Sequence, residues 1–196
     1  MRGLDLRRIC LVGCVVIFSL AGCSTVPPAP VSPMAEHAPA VFSLNGRIAV
    51  RFRDQSSSGT VRWHHTPTTD AVALLSPLGQ TVTEVNRDAN GVTLIDSAHK
   101  SHQAANAEVL TEDMLGWPLP LSGLSYWVTG QAQPGTAFQV DRDADQRPKL
   151  LTQNGWQINY TGWQDVAGQS LPHKLSLQRE GLQIRLVADE WVLPAP

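Results

Sequence analysis

Charged residues are scarce in this chain, cysteines are scarcer, and no apolar run is long enough to cross a bilayer. Lys and Arg number 15 against 17 Asp and Glu, so 16% of the 196 residues are charged and the net charge is −2. With no basic block and a sequence pI near 6.3, the chain lacks the electrostatic footprint of a nucleic-acid binder. Long helical periodicity is missing as well. The 15 glycines and 14 prolines suit short strands and turns, which argues against a helical bundle. No segment repeats at a fixed period, so neither a solenoid nor a propeller is supported. The length allows one globular domain with appendages.

Catalytic signatures are absent too. There is no G-x-S-x-G, no H-E-x-x-H, no phosphate loop G-x-x-x-x-G-K-[ST] and, past the leader described next, no thiol pair. His64 and His65 are adjacent in a strand and point to opposite faces, a poor arrangement for holding one ion. His99 and His102 flank a polar stretch that reads as a loop. No catalytic residue and no metal ligand is assigned.

What is present begins with a leader. Arg2, Arg7 and Arg8 precede the apolar run Ile9 to Leu20, which at 12 residues is short of the roughly 20 needed to span a bilayer and reads as a signal peptide over residues 1–22. It ends in Leu20-Ala21-Gly22-Cys23, the lipobox pattern of bacterial lipoproteins. There the small residues fit the peptidase and the cysteine thiol receives a diacylglyceryl group. Cys10 and Cys14 leave with the leader, so the 174-residue mature chain keeps only Cys23 and forms no internal disulfide. A single cysteine suits an oxidising compartment if lipid blocks its sulfur, and no cofactor beyond that covalent lipid is expected. The mature chain carries 12 basic and 16 acidic residues. Ser24, rather than aspartate, follows the cysteine, and by similarity to enterobacterial sorting this points to the periplasmic face of the outer membrane. Residues 23–40 carry Pro27, Pro28, Pro30, Pro33 and Pro39 and read as an extended tether.

Residues 41–196 read as one folded domain. Phe42, Leu44, Ile48, Val50 and Phe52 alternate with polar neighbours, one side buried and one wet. Gln55 to Gly59 reads as a polar turn, followed by strands around Val61 and Trp63, over Asp70 to Ser76, and over Gln80 to Arg87. Asp88-Ala89-Asn90-Gly91 is a hairpin signal leading into Val92 to Asp96. Asn106 is placed to cap a helix that Gly116, Pro118 and Pro120 stop, and a second short helix is expected over Ser122 to Thr129. Strands resume over Thr136 to Arg142, Pro148 to Gln153 and Trp156 to Tyr160. Leu171 to Arg179 and Leu182 to Val187 form a last hairpin, with Ala188 to Leu193 a further strand. Ten or eleven antiparallel strands in one sheet must curl. The helices then bury their apolar faces across the concave side, enclosing a space that is either filled by side chains or left for a ligand.

The series F-S-L-N-G-R-I-A-V-R-F at Phe42, S-P-L-G-Q-T at Ser76, M-L-G-W-P-L-P-L-S-G-L-S-Y-W-V-T-G at Met114, G-W-Q-I-N-Y at Gly155 and L-P-H-K-L-S-L at Leu171 resembles the LolB family of outer-membrane lipoproteins. The resemblance implies a mainly β, open antiparallel half-barrel of about eleven strands with a helical lid over a hydrophobic cavity. It also implies a monomeric receptor that accepts lipoproteins from the periplasmic carrier LolA by their acyl chains and passes them to outer-membrane lipids. Leu78 is placed by the resemblance on a protruding loop that enters membrane; the other reading is a turn leucine folded back on the core. Phe52, Trp63, Trp117, Leu121, Leu124, Trp127, Trp156 and Ile158 either line the acyl cavity or belong to an ordinary packed core. Two other functions stay open at this point: an envelope lipoprotein that binds an apolar ligand or acts as a scaffold without transfer, and a hydrolase whose Ser, His and acid residues converge only in the fold.

Overall fold

The computed structural model describes residues 40–194; the expected signal, Cys23 and nearly all of the tether lie outside them. Eleven strands form a single antiparallel sheet: β1 (Phe42–Phe52), β2 (Gln55–His65), β3 (Asp70–Leu75), β4 (Thr81–Asp88), β5 (Gly91–Asp96), β6 (Ser101–Ala104), β7 (Phe138–Arg142), β8 (Pro148–Gln153), β9 (Trp156–Val166), β10 (Gln169–Arg179) and β11 (Leu182–Val192). Their order across the sheet is β6-β5-β4-β3-β2-β1-β11-β10-β9-β8-β7. The first and last strands therefore sit side by side at the centre. The edges are β6 and β7, which do not pair with each other. Between them in sequence come the two helices, α1 (Ala107–Leu115) and α2 (Leu121–Trp127).

Period-two patterning makes the central strands. Phe42, Leu44 and Val50 are buried on one face of β1, while Arg47, Ala49 and Arg51 are exposed on the other. On β11 the buried set is Leu182, Ile184, Leu186 and Ala188, and then Trp191. The break in alternation is a bulge: Asn45 pairs with Glu190 and Gly46 with Ala188, leaving Asp189 unpaired. Gly46 is required there because a Cβ would collide with the Val187 carbonyl oxygen.

Several boundaries differ from the sequence reading. Gln55 to Gly59 is strand, not turn; the reversal is tighter, at Arg53 and Asp54, with Arg53 in the left-handed region at φ 53°. The polar character of that stretch reflects an uncovered strand end. The stretch from His99 to His102, expected as a loop, runs into the edge strand β6, which Ser101 to Ala104 form and which contains His102 itself. The final segment is one continuous strand that the bulge at Asp189 interrupts in pattern only.

Both helices lie over the concave face. Asn106 caps α1, its side-chain oxygen accepting from the Val109 N–H at 3.0 Å, and Gly116 ends it with φ 81°. Thr111, fully buried, accepts from the Leu119 N–H at 2.7 Å and so holds the connection to α2 against α1. On the other side Gln153 of β8, 2% exposed, is a complete polar hub. Its oxygen accepts from Trp127 Nε1 at 2.9 Å and the Gln133 N–H at 2.8 Å, and its amide donates to the Gln133 carbonyl and Thr136 Oγ1. Tyr160 adds a bond from its hydroxyl to the Trp127 carbonyl at 2.9 Å, and burial pushes its phenol pKa above the ordinary value. Replacing Gln153 with Leu strands several buried donors and acceptors at once. We expect a loss of about 3 kcal/mol, read from the midpoint of urea unfolding, with the α2 region losing amide protection first.

Candidate acyl-binding cavity and its rim

The concave face divides into a packed end and an open end. At the Phe42 end the rings of Trp63 and Trp191 meet Phe42 edge-on, each with centroids 5.2 Å away. Trp63 also donates to the buried Asp70 carboxylate at 2.8 Å, which accepts in addition from His65 and from Arg87. His64, by contrast, faces outward and pairs with Ser43. Among the described residues no group of three or more His, Cys, Asp or Glu is placed to hold a metal ion.

At the Phe52 end the same face is hollow. A cavity of about 470 Å³ lies between the inner face of β1, the end of β3 and the C-terminal turn of α1. Ile48, Val50 and Phe52 form its floor because period two directs them inward at the end of β1 that the helices do not cover. Leu74, Leu75 and Val82 form one wall, and Met114, Leu115 and Trp117 the opposite one. The left-handed turn at Gly116 brings Trp117 back over the opening. Val82 and Met114 are 45% and 37% exposed, so the mouth has an apolar rim. Gln55 and Ser57 add a polar margin on β2.

Of the eight residues singled out from the sequence, Phe52 and Trp117 line this cavity. The other six, Trp63, Leu121, Leu124, Trp127, Trp156 and Ile158, lie in the packed cluster and do not line the cavity, whereas Trp117 belongs to both. Trp127, 1% exposed, stands 5.8 Å from the Trp156 ring and is held by Gln153. Ile48, Val50, Leu74, Val82 and Met114 were not singled out. For the first two the signal was available, since they share a face with Phe52.

Leu78 stands beside the mouth. The turn after β3 is closed by the Ser76 N–H donating to the Gln80 carbonyl and the Gly79 N–H donating to the Ser76 carbonyl, both at 2.8 Å. Gly79, at φ 81°, supplies the left-handed residue that this reversal requires. Leu78 at its tip is 89% exposed, which removes the reading of a leucine folded back on the core. Pro77 borders the cavity, so the exposed leucine adjoins the hollow.

An open antiparallel sheet wrapped over two helices, with an apolar hollow beside one end of its first strand, is a half-barrel. The crystal structure of a LolA superfamily protein from Nitrosomonas europaea matches it with a TM-score of 0.50 at 10% identity, over 82% of this chain and 89% of that one; this concerns the fold alone. A family model described as outer membrane lipoprotein LolB matches residues 40–191. The outer-membrane lipoprotein LolB of Nitrosomonas europaea is 40% identical over 188 residues, covering 90% of this chain and 89% of that protein. Its counterpart from Thiobacillus denitrificans is 36% identical over 186 residues, covering 95% and 98%. The chain belongs to the LolB family.

The division into packed and open ends is testable by truncation. Phe52→Ala should weaken binding of a fluorescent fatty acid several-fold with little change in melting temperature. Trp127→Ala should instead cost about 3 to 5 kcal/mol of stability, measured by urea unfolding.

Proposed function

We propose that this protein is a lipid-anchored receptor at the outer membrane, held by Cys23, that takes lipoproteins from the periplasmic carrier LolA by their acyl chains and delivers them into the bilayer. The observation that carries this reading is the pairing of an unfilled apolar cavity with a fully presented leucine at its rim. A leucine side chain kept in water forgoes roughly 1.5 to 3 kcal/mol of burial, which contact with hydrocarbon would supply. The relatives named outer-membrane lipoprotein LolB support the location.

The physical problem is hydrocarbon in water. Each methylene withdrawn from solvent contributes roughly 0.8 kcal/mol, so an acylated protein needs continuous shelter between two membranes. No nucleotide-binding motif is present in the sequence, and transfer runs down a gradient of affinity from carrier to receptor to bilayer. Each step has to be only modestly tighter than the one before, or cargo would stay on the receptor. A shallow cavity with an exposed rim suits such a site better than a sealed one. Leu78 enters the acyl layer and places the mouth against the membrane.

The direct test mixes carrier-bound lipoprotein with the mature chain bearing Cys23→Ser, without nucleotide, and separates the two proteins. Cargo should move onto this protein; cargo that stays on a competent carrier overturns the receptor reading. In the same assay Leu78→Glu should accept cargo normally and release it into vesicles at least tenfold more slowly. A variant that fails to accept cargo, although folded, would instead assign Leu78 to uptake.

A further inference from the structure

The convex side of the sheet carries a second depression, directly behind the acyl cavity. It is a groove of about 730 Å³ across β2, β1, β11, β10 and β9, and Pro77 borders it as it borders the cavity. The two hollows therefore lie on opposite faces of the β1–β2 ribbon and meet at the turn that presents Leu78.

Three cations surround this groove: Arg47, Lys174 and Arg185. Strand register fixes their spacing. Arg47 and Lys174 both pair with Val187, one from each side, which puts their Cα atoms two strand spacings or about 10 Å apart; Arg185 is two residues along β11 from Val187, about 7 Å away. Around Arg185 the outward positions are small. Ala49 and Ser176 are its cross-strand partners and Ser58 lies beyond Ala49. Long basic side chains thus rise beside a low floor that carries two hydroxyls. Such a floor lets guanidinium and ammonium groups converge on one anion instead of fanning into solvent.

The charge state of the groove is positive. Arg47 donates to Asp189 through Nε at 3.0 Å and Nη2 at 2.8 Å, and those hydrogen bonds hold the Asp189 carboxyl below its usual range. That acid offsets Arg47. Arg185 and Lys174 are exposed and take no part in the ion pairs of the described residues. Two cations are left uncompensated on a chain whose net charge is −2.

We propose that this groove binds the phosphate of an anionic phospholipid headgroup, so that headgroup capture on the convex side and insertion of Leu78 seat the protein together. The proposal deepens the membrane-delivery reading and rests on it. Guanidinium groups suit phosphate by their paired donors, and the serine hydroxyls can complete its coordination. The adjacency to Leu78 favours a lipid over a free anion: a phosphate bound here sits beside the turn whose exposed leucine suits hydrocarbon, as a headgroup sits beside its own acyl chains.

The test uses the mature chain with Cys23→Ser and vesicles of phosphatidylcholine, alone or mixed with phosphatidylglycerol, in a co-flotation assay. The wild type should bind the mixed vesicles markedly better. Arg185→Gln and Lys174→Gln should each lower that binding roughly fivefold without altering the urea midpoint, while Arg62→Gln, an exposed cation outside the groove, should lower it less than twofold. Equal losses for Arg62→Gln and Arg185→Gln would mean undirected attraction and overturn the site. Inorganic phosphate at matched ionic strength separates the two sources. Saturable phosphate binding without vesicles, seen by ³¹P line broadening and lost in Arg185→Gln, would assign the groove to a free anion and overturn the lipid. Cargo uptake from the carrier is read separately and involves no vesicle: its failure in the wild type would remove the receptor function, whereas failure of the groove leaves uptake unchanged.

Discussion

Everything in this fold follows from two strands that do not meet. β6 and β7 end the sheet on either side, with four and five residues respectively, and no ladder joins them. A closed barrel satisfies its edges by hydrogen bonding; here the curl is held by side chains instead. The chain between the two edges supplies them as α1 and α2, which give the concave face an apolar layer. Because short helices cannot cover a face built on eleven-residue strands, the interior is filled over most of that face and left hollow beside the Phe52 end of β1.

That unequal filling reconciles stability with a site that must stay open. The packed part of the interior concentrates the large rings and buried polar groups, with Gln153, Tyr160 and Asp70 each bonded to more than one element or to a helix backbone. A network of this kind is costly to break in part and so behaves as a unit. The hollow end has exposed apolar residues and strand ends without helix cover, the features that go with low local stability. Acyl chains can then enter and leave without disturbing what keeps the domain folded.

The sequence made the architecture readable because period-two alternation reports which face a residue is on. It identified every strand but β6, whose polar residues read as a loop, together with the Asn106 cap, the Gly116 stop and the Asp88–Gly91 hairpin. It could not report how far along a strand the helices reach, and that distance decides whether an inward side chain is packed or lines a void. Hence Phe52 and Val50 share a face with Phe42 and Leu44 yet have different surroundings. The tryptophans were the more conspicuous residues, but of the six side chains placed in the packed cluster Leu121, Leu124 and Trp127 belong to α2 and Trp156 and Ile158 to β9, where bulk is useful. Gln55 to Gly59 misled for a related reason: a strand with no helix above it and no third strand beside it has no apolar requirement. The groove on the convex face has no linear signature, since Arg47, Lys174 and Arg185 are brought together only by the pairing of β1, β11 and β10.

The central position of β1 also sets a leash. The folded domain is entered at Phe42, whereas the Leu78 turn lies toward the Phe52 end, because Leu75 is level with Thr60 and Arg47 rather than with Phe42. An eleven-residue strand is about 37 Å long. With Cys23 in the bilayer as proposed, Leu78 reaches the same bilayer only if residues 24–40 are long enough to allow it. Those 17 residues span at most about 60 Å when fully drawn out, more than the length of such a strand. The length of the proline-rich stretch thus acts as a geometric permission, setting whether the Leu78 turn can face the membrane that anchors the chain.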